Sequence, residues 1–319
     1  MILILTDKDE PTTDLVIDWL NFYNKKFIRV SVEEVIEIRE FYFSNNTFEA
    51  CFDIRYKNKI ITIDSKEIKS YWYRRSAFNV HLKHIKSENI KIDKVINRLI
   101  SDEYKDVTSL FHLVLNGKKH LNTYKDIELV KFSQIVYAKL VGLKVPNSII
   151  TNNRSKLIDS FIKDNIKIVT KSISDTSAFY SFNYHWFTNQ VDIDKCANEF
   201  SLSLFQKLID KEFELRIFFI ENEFWCSAVL SQLNERTKID VKNFDVENPN
   251  RVVPYKLPIE IKNKLIELMK KLRLNSGSID MIVDKNGQYY FLEVNPVGQF
   301  EQVAIPCNFN IFKKIAEFL

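Results

Sequence analysis

Glycine is scarce in this chain. Five glycines in 319 residues (Gly117, Gly142, Gly277, Gly287 and Gly298) leave no room for a G-x-x-x-x-G-K-[ST] phosphate loop or a G-x-G-x-x-G dinucleotide fingerprint. A nucleotide, if bound, must be held another way. Cysteine is equally sparse. Cys51, Cys196, Cys226 and Cys307 stand far apart without metal spacing and read as reduced, small, buried residues. The histidines form no ligand motif, and His81 and His84 read as solvated. No Ser-His or Cys-His pairing suggests a protein nucleophile. No apolar run approaches a membrane span. The opening Met1-Ile-Leu-Ile-Leu-Thr-Asp lacks a basic leader and a small-residue cleavage site, so it reads as a first buried strand and the address as cytoplasmic. Net charge is only +4, which argues against a general nucleic-acid surface and slightly favours an acidic ligand. The mixed-sign stretch at 83–94 reads as a solvated helix face.

What remains is an ordinary core-forming composition, 45% hydrophobic and 28% charged, in a chain long enough for two or three modest domains. Periodicity gives an opening α/β unit. Its strands are expected at 2–5, 27–30 and 70–74, its helices at 12–23 and 88–115, and a meander at 41–54 and 59–63. A helix at 124–140 is stopped by Gly142, and Val145-Pro146 begins an extended segment. A strand at 148–151, a helix at 154–164 and a strand at 166–171 follow. Residues 172–190, rich in Ser, Thr, Asn and aromatics, read as a flap. Then come a strand at 200–209, a hairpin of 213–220 and 224–230, a helix at 259–272, a further hairpin, and a terminal helix at 309–318. The expected class is α/β (α+β), divided into an N-terminal domain at 1–120, a central one at 121–200 and a C-terminal one at 201–319.

The further hairpin is Ser278-Ile-Asp-Met-Ile-Val-Asp-Lys-Asn-Gly-Gln-Tyr-Tyr-Phe-Leu-Glu-Val-Asn-Pro296. Asn286-Gly287 is a strong two-residue hairpin signal. With those residues as the loop, Lys285 pairs with Gln288, Asp280 lies opposite Glu293, and Asn295 shares their face. Met281 and Leu292 then point into a core. Facing carboxylates repel, so something cationic should hold them. Oxygen-only donors select a hard ion such as Mg²⁺, with Mn²⁺ as the second choice. A structural hairpin with a solvated acidic face is the competing reading. Upstream, Lys171 ends an apolar strand; taken alone it reads as a solvated strand end, and in the other reading such a lysine reaches a polyphosphate. Glu214 and Arg216 stand two apart and share a strand face, either as a structural pair or as a ribose acceptor beside a phosphate-directed guanidinium.

In this order the pieces resemble the ATP-grasp superfamily, and more closely its graspetide (microviridin-type) peptide maturases and their grasp-with-spasm branch. The matching residues are Trp72-Tyr-Arg-Arg75, Gly142-Leu-Lys-Val-Pro146 with Thr151-Asn152, Glu214-Leu-Arg216, Ser231-Gln232 and Phe291-Leu-Glu-Val-Asn-Pro-Val-Gly-Gln-Phe300. The resemblance runs nearly end to end. It implies an N-terminal α/β domain followed by two antiparallel-sheet subdomains that clamp ATP. It implies that Lys131 and Lys171 bind phosphates, and that Gln206, Lys207, Leu208 and Ile209 line the adenine hinge, with Leu208 offering backbone groups. Glu214 would sit near the ribose or hinge, Arg216 would face the γ-phosphate and acyl phosphate, and Asp280, Glu293 and Asn295 would hold Mg²⁺.

The implied reaction activates an Asp or Glu side chain of a precursor peptide as an acyl phosphate. A Ser or Thr hydroxyl, or a Lys amine, then attacks it. The implied partner is a precursor peptide with a leader segment, with no nucleic acid and no membrane, and related ligases suggest a homodimer. Residues 172–190 and 234–246 are candidate peptide contacts, with Phe179, Tyr180, Tyr184 and Trp186 as candidate docking aromatics. Arg74-Arg75 reads as a surface pair with a structural ion partner. Two departures stand out: Ser172-Ile-Ser-Asp-Thr-Ser177 lacks the glycines common in ATP-grasp flaps, and Asp240-Val241-Lys242 replaces the Asp-Trp-Arg of related maturases. A RimK-like amino-acid ligase and a non-catalytic ATP-dependent peptide-binding protein are the alternatives.

Overall fold

The computed structural model describes residues 1–31, 33–56, 59–74, 90–123, 131–161, 166–173 and 188–319. Two compact units emerge: Met1–Ile127 joined by Asn310–Leu319, and Glu128–Phe309.

In the first unit the elements are β1 (Ile2–Leu5), α1 (Pro11–Phe22), β2 (Phe27–Val30), β3 (Val35–Phe43), β4 (Phe48–Tyr56), β5 (Lys59–Asp64), β6 (Ser70–Tyr73), α2 (Ile90–Asn116) and β7 (Lys119–Leu121). Strands β2-β1-β6-β7 form a parallel sheet. The inner strands β1 and β6 are buried at every position, as expected of parallel strands covered on both faces. Strands β3-β4-β5 form an antiparallel meander. It starts earlier than the expected 41, and its first turn, at 44–47, falls inside the span read as continuous. There Ser44 and Thr47 close the turn through their hydroxyls. Helix α1 begins at Pro11, whose ring suits the first helical position. The Glu10 carboxylate accepts from the Thr13 N–H at 2.6 Å. That same carboxylate holds Arg74 at 3.0 Å, and both side chains are buried. The expected surface reading of Arg74 is therefore replaced by a buried pair that ties the end of β6 to the start of α1. Arg75, His81 and His84 lie outside the described residues.

The second unit contains α3 (Lys131–Leu140), β8 (Ser148–Asn153), α4 (Arg154–Phe161), β9 (Ile168–Lys171), β10 (Asn189–Val191), β11 (Glu199–Lys207), β12 (Lys211–Ile220), β13 (Glu223–Leu230), β14 (Arg251–Pro254), α5 (Ile259–Leu272), β15 (Ser276–Asp284), β16 (Tyr289–Asn295) and α6 (Glu301–Ala304). It holds two antiparallel sheets, β10-β9-β11-β8 and β14-β13-β12-β15-β16. Helices α3 and α5 cover one face of the second sheet. Leu215, Ile217, Ile279, Met281, Phe291 and Val294 pack there against Ala138, Leu265, Leu268 and Met269. Strand alternation sends the intervening residues to the opposite face. The chain ends in α7 (Ile311–Phe318), which packs in the first unit. The Lys25 ammonium donates to the carbonyls of Ala316 at 2.8 Å and Glu317 at 3.1 Å, the expected use of a cation at a helix C-terminus.

Candidate active site on the five-stranded sheet

Three charges stand in one row across adjacent strands. Arg216 on β12 is directly opposite Asp280 on β15, which is directly opposite Glu293 on β16. The expected convergence of Asp280 and Glu293 is therefore present, but its route differs. The turn is not a two-residue loop. Asp284 pairs with Gln288, donating its N–H to the Gln288 carbonyl at 3.0 Å, while Gly287 takes φ +74° and donates to the Asp284 carbonyl at 2.9 Å. This shortens the register by one residue relative to the expected pairing. A β-bulge at Leu292 restores it: Met281 pairs with Phe291, and Asp280 with Glu293. The bulge inserts one residue into one strand, so Phe291 and Val294, three apart, both reach the core. Leu292 was expected to face Met281 in the core; Phe291 takes that place.

Both carboxylates carry cationic partners. The Arg216 guanidinium donates to Asp280 Oδ1 at 2.6 Å. The Lys242 ammonium donates to Glu293 Oε1 and lies 3.6 Å from Asp280 Oδ2. Burial works against the charge on Lys242, but Glu293 and Asp280 outweigh it and raise its pKa above that of a free lysine. The same balance, burial opposed by Asp280 and Glu214, raises that of Arg216. Lys242 sits in an irregular segment between β13 and β14, pinned by Asp240. The Asp240 carboxylate accepts from the Lys242 N–H at 2.9 Å and from the Thr188 N–H at 2.9 Å.

The neighbouring row is Glu214 opposite Ile282. Glu214 does share a face with Arg216, and it is buried against Lys211, whose ammonium donates to its carboxylate. Burial pushes the Glu214 carboxyl up despite that partner. Lys211 and Glu214 are three apart and would face opposite ways on a regular strand. A register shift between Lys211 and Phe213 puts them together. On the other side, Ser278 lies opposite Asn295, so Asn295 occupies the next position of the acidic face. The chain then folds back tightly. The Gly298 N–H donates to the Asn295 carbonyl at 3.1 Å, and a Cβ on Gly298 would stand 2.5 Å from the Ser278 Cβ.

The other expected residues, Lys131 apart, lie on the first sheet of this unit or its connection to the second. Lys171 ends β9 opposite Leu204. Gln206 is buried, its amide donating to the Ser148 hydroxyl at 2.8 Å. Lys207 and Leu208 donate their N–H groups to the carbonyls of Asn147 and Lys167, each at 2.8 Å. The Leu208 N–H is thus engaged, which narrows what this hinge can offer a base. Ile209 is buried in the short link between β11 and β12. Lys131 begins α3, one turn before Gln134; its side chain lies outside the described residues, as do Phe179, Tyr180, Tyr184, Trp186 and most of the expected flap. Gln134, not anticipated from the sequence, fixes α3 to the sheet: its side-chain oxygen accepts from the Val294 N–H at 2.9 Å. A separate cavity of about 350 Å³ beside β13 and β14, lined by Trp225, Tyr255, Lys262 and Phe309 among others, contains none of these residues.

The donor set fits a hard divalent cation. Asp280, Glu293 and Asn295 supply only oxygen and amide ligands from one face of adjacent strands, and a positive group already bridges the two carboxylates. Among the described residues no three His, Cys, Asp or Glu side chains gather, so the amide of Asn295 would be the third ligand.

No protein-family model matches the chain, and no curated protein matches it. Solved structures do. The macrocyclase MdnC from Microcystis aeruginosa MRC, bound with precursor peptide MdnA, is 25% identical over 100% of this chain and 99% of its own, with a TM-score of 0.72. A RiPP-associated ATP-grasp ligase from Chryseobacterium gregarium, in complex with ADP and a leader and core peptide, is 23% identical over 100% and 96%, with a TM-score of 0.78. The macrocyclase MdnB from M. aeruginosa MRC is 22% identical over 100% and 98%, with a TM-score of 0.72. The fold is that of the ATP-grasp ligases.

Proposed function

We propose that this ATP-grasp ligase is a peptide maturase: it activates Asp or Glu side chains of a ribosomal precursor peptide with ATP and joins them to Ser or Thr hydroxyls, or to Lys amines, to close macrocycles. The observation that carries the reading is the row Arg216–Asp280–Glu293 with Lys242 beside it. It gathers two carboxylates suited to a hard cation and two cations suited to phosphate or carboxylate oxygens in one place. Full-length similarity to a precursor-bound macrocyclase and to a leader- and core-peptide-bound ligase supports the choice of substrate.

In this reading ATP lies between the two sheets of the second unit, in the central and C-terminal subdomains near 121–200 and 201–319. Residues 206–209 border the base, Glu214 lies toward the ribose, and Lys131 and Lys171 reach the phosphates. Asp280, Glu293 and Asn295 would hold Mg²⁺, which when bound would neutralise charge on the transferring phosphoryl group. Arg216 orients the γ-phosphate and stabilises its oxygens as the substrate carboxylate attacks. Lys242 holds the incoming carboxylate. The acyl phosphate so formed is attacked by a hydroxyl or amine of the same peptide, releasing phosphate. Holding both groups in reach lowers such a barrier by roughly 7–11 kcal/mol, so no protein nucleophile is needed.

The segment carrying Lys242 exposes Leu233, Phe244 and Val246, apolar contacts for a peptide chain. Nucleic acid has no part in this reading. Among the described residues no helix is long and apolar enough to cross a membrane. Hydroxylamine trapping tests the activation step. A hydroxamate on peptide Asp or Glu side chains, formed only with ATP and Mg²⁺, is expected. ATP binding without hydroxamate or peptide-dependent phosphate release would favour a binding protein instead.

A further inference from the structure

Lys242 holds a position that a ligand-binding residue alone does not explain. Its ammonium touches both carboxylates of the metal set, Glu293 directly and Asp280 at 3.6 Å. With Arg216 on the far side of Asp280, two bases face the two acids among the described residues. An ammonium has three donors and no lone pair. It cannot join a metal's ligand shell, and it repels a divalent cation placed on the oxygens it now occupies. A divalent cation seated on Glu293 Oε1 would meet the ammonium there.

Lys242 is also built to move. Half of its side-chain surface is open, it ends a flexible four-carbon stem, and it belongs to an irregular segment rather than a strand. Its backbone, by contrast, is fixed by Asp240, which also holds Thr188. The main chain can stay while the ammonium swings.

We propose that Lys242 is a tethered counter-ion: it holds the acidic pair in the unloaded enzyme and is exchanged for the divalent cation when nucleotide and metal bind. This rests on the ATP-grasp reading of Asp280 and Glu293. The exchange means that the lysine is released toward substrate only once the metal is in place, so metal–nucleotide loading precedes the grip on a carboxylate.

The test is Mn²⁺ binding to the full chain in saturating ADP, followed by electron paramagnetic resonance of free Mn²⁺. Removing a residue from a ligand site ordinarily weakens binding. Here Lys242→Met is expected to tighten Mn²⁺ about tenfold, because no charge-assisted bond has to be broken first. Lys242→Gln, which keeps a polar side chain, should behave alike. Lys238→Met, which removes a cation from the same segment where it pairs with Glu235 at 2.6 Å, should leave the affinity unchanged. A thermal melt establishes that each variant is folded. Unchanged or weaker Mn²⁺ binding in both Lys242 variants overturns the exchange while leaving the metal site standing. Equal tightening in Lys238→Met reduces the effect to net charge and also overturns it. If the wild type binds no Mn²⁺ with ADP, the metal reading falls, and the exchange with it.

Discussion

Replacing one carboxylate oxygen of Glu293 by an amide nitrogen leaves shape and burial nearly unchanged but removes the charge that pairs with Lys242. Glu293→Gln is therefore expected to keep the melting temperature within a few degrees while lowering turnover by about a hundredfold or more, the scale on which lost charge stabilisation is felt. Turnover and a melt measured on the same preparation check both halves; a folded, fully active variant would remove the metal role. A second residue-level consequence lies in the first unit. His112 is buried, with its Nδ1 3.2 Å from the Tyr71 hydroxyl, and burial pulls its pKa down from 6.5 to about 3. Between these values the unfolded chain takes up a proton that the folded one refuses. Its stabilising effect is thus complete above pH 6.5 and is lost as the pH falls toward 3, by at most about 1.4 kcal/mol per pH unit. His112→Gln, which does not titrate, should flatten the stability profile between about pH 6.5 and 4.5; an unaltered slope in denaturant titrations would contradict this. Asp280 opposite Glu293 was legible from the hairpin signal and Glu214 beside Arg216 from strand alternation, but neither showed the bulge that completes the first pair or the row that joins Arg216 to Asp280. Lys242 was not, since it reaches the acids from an irregular segment no periodicity describes. Nor was the Lys211–Glu214 pair, because a bulge reverses the face that a spacing of three implies.

At the scale of elements, the hairpin β15–β16 shows how a correct contact can follow from an incorrect turn. Asn286-Gly287 signals a reversal, but the side chain of Asp284, which accepts the N–H groups of Asn286 at 2.9 Å and Gln288 at 2.8 Å, selects a longer loop. The bulge at Leu292 compensates. Neither residue type announces its part in isolation; cross-strand packing of Phe291 and Val294 decides it. Two glycines of this hairpin region should respond differently. Gly287 has φ +74° and open space around its Cβ position. Gly287→Ala should therefore cost only the left-handed strain, about 1 kcal/mol, and leave activity intact. Gly298→Ala meets the Ser278 Cβ at 2.5 Å. Overpacking of this kind costs about 1–3 kcal/mol and should displace the turn that holds the Asn295 carbonyl, weakening Mn²⁺ binding as well. Adding Ser278→Gly should restore part of both losses; a double variant no better than the single would show that the clash is not the cause. Helix α5 was read to the residue from its apolar spacing, and Gly142 marked the end of α3, while the expected boundaries at 124 and 164 lie outside the described residues. The short strands β7 and β14 carried too few residues to show a pattern.

Across the whole molecule, the sequence signalled its fold through the order of its motifs rather than through any one of them, and solved structures match it over 95% or more of both chains. The return of α7 to the first unit was not legible. It depends on contacts such as the Ser70 hydroxyl to the Leu319 carbonyl at 2.7 Å, which join residues 249 positions apart. The reaction is likewise a property of the assembled face, where the strands bring acids and bases into one row. The most direct test of the central claim is the intact mass of a small Thr- and Glu/Asp-rich peptide encoded beside this gene, after incubation with enzyme, ATP and Mg²⁺. Loss of one water for each bond formed, dependent on ATP and abolished by Glu293→Gln, is the expected result, and mild base would then separate esters from amides. An ATP-dependent gain equal to an amino-acid residue would contradict the account and make the protein an amino-acid ligase.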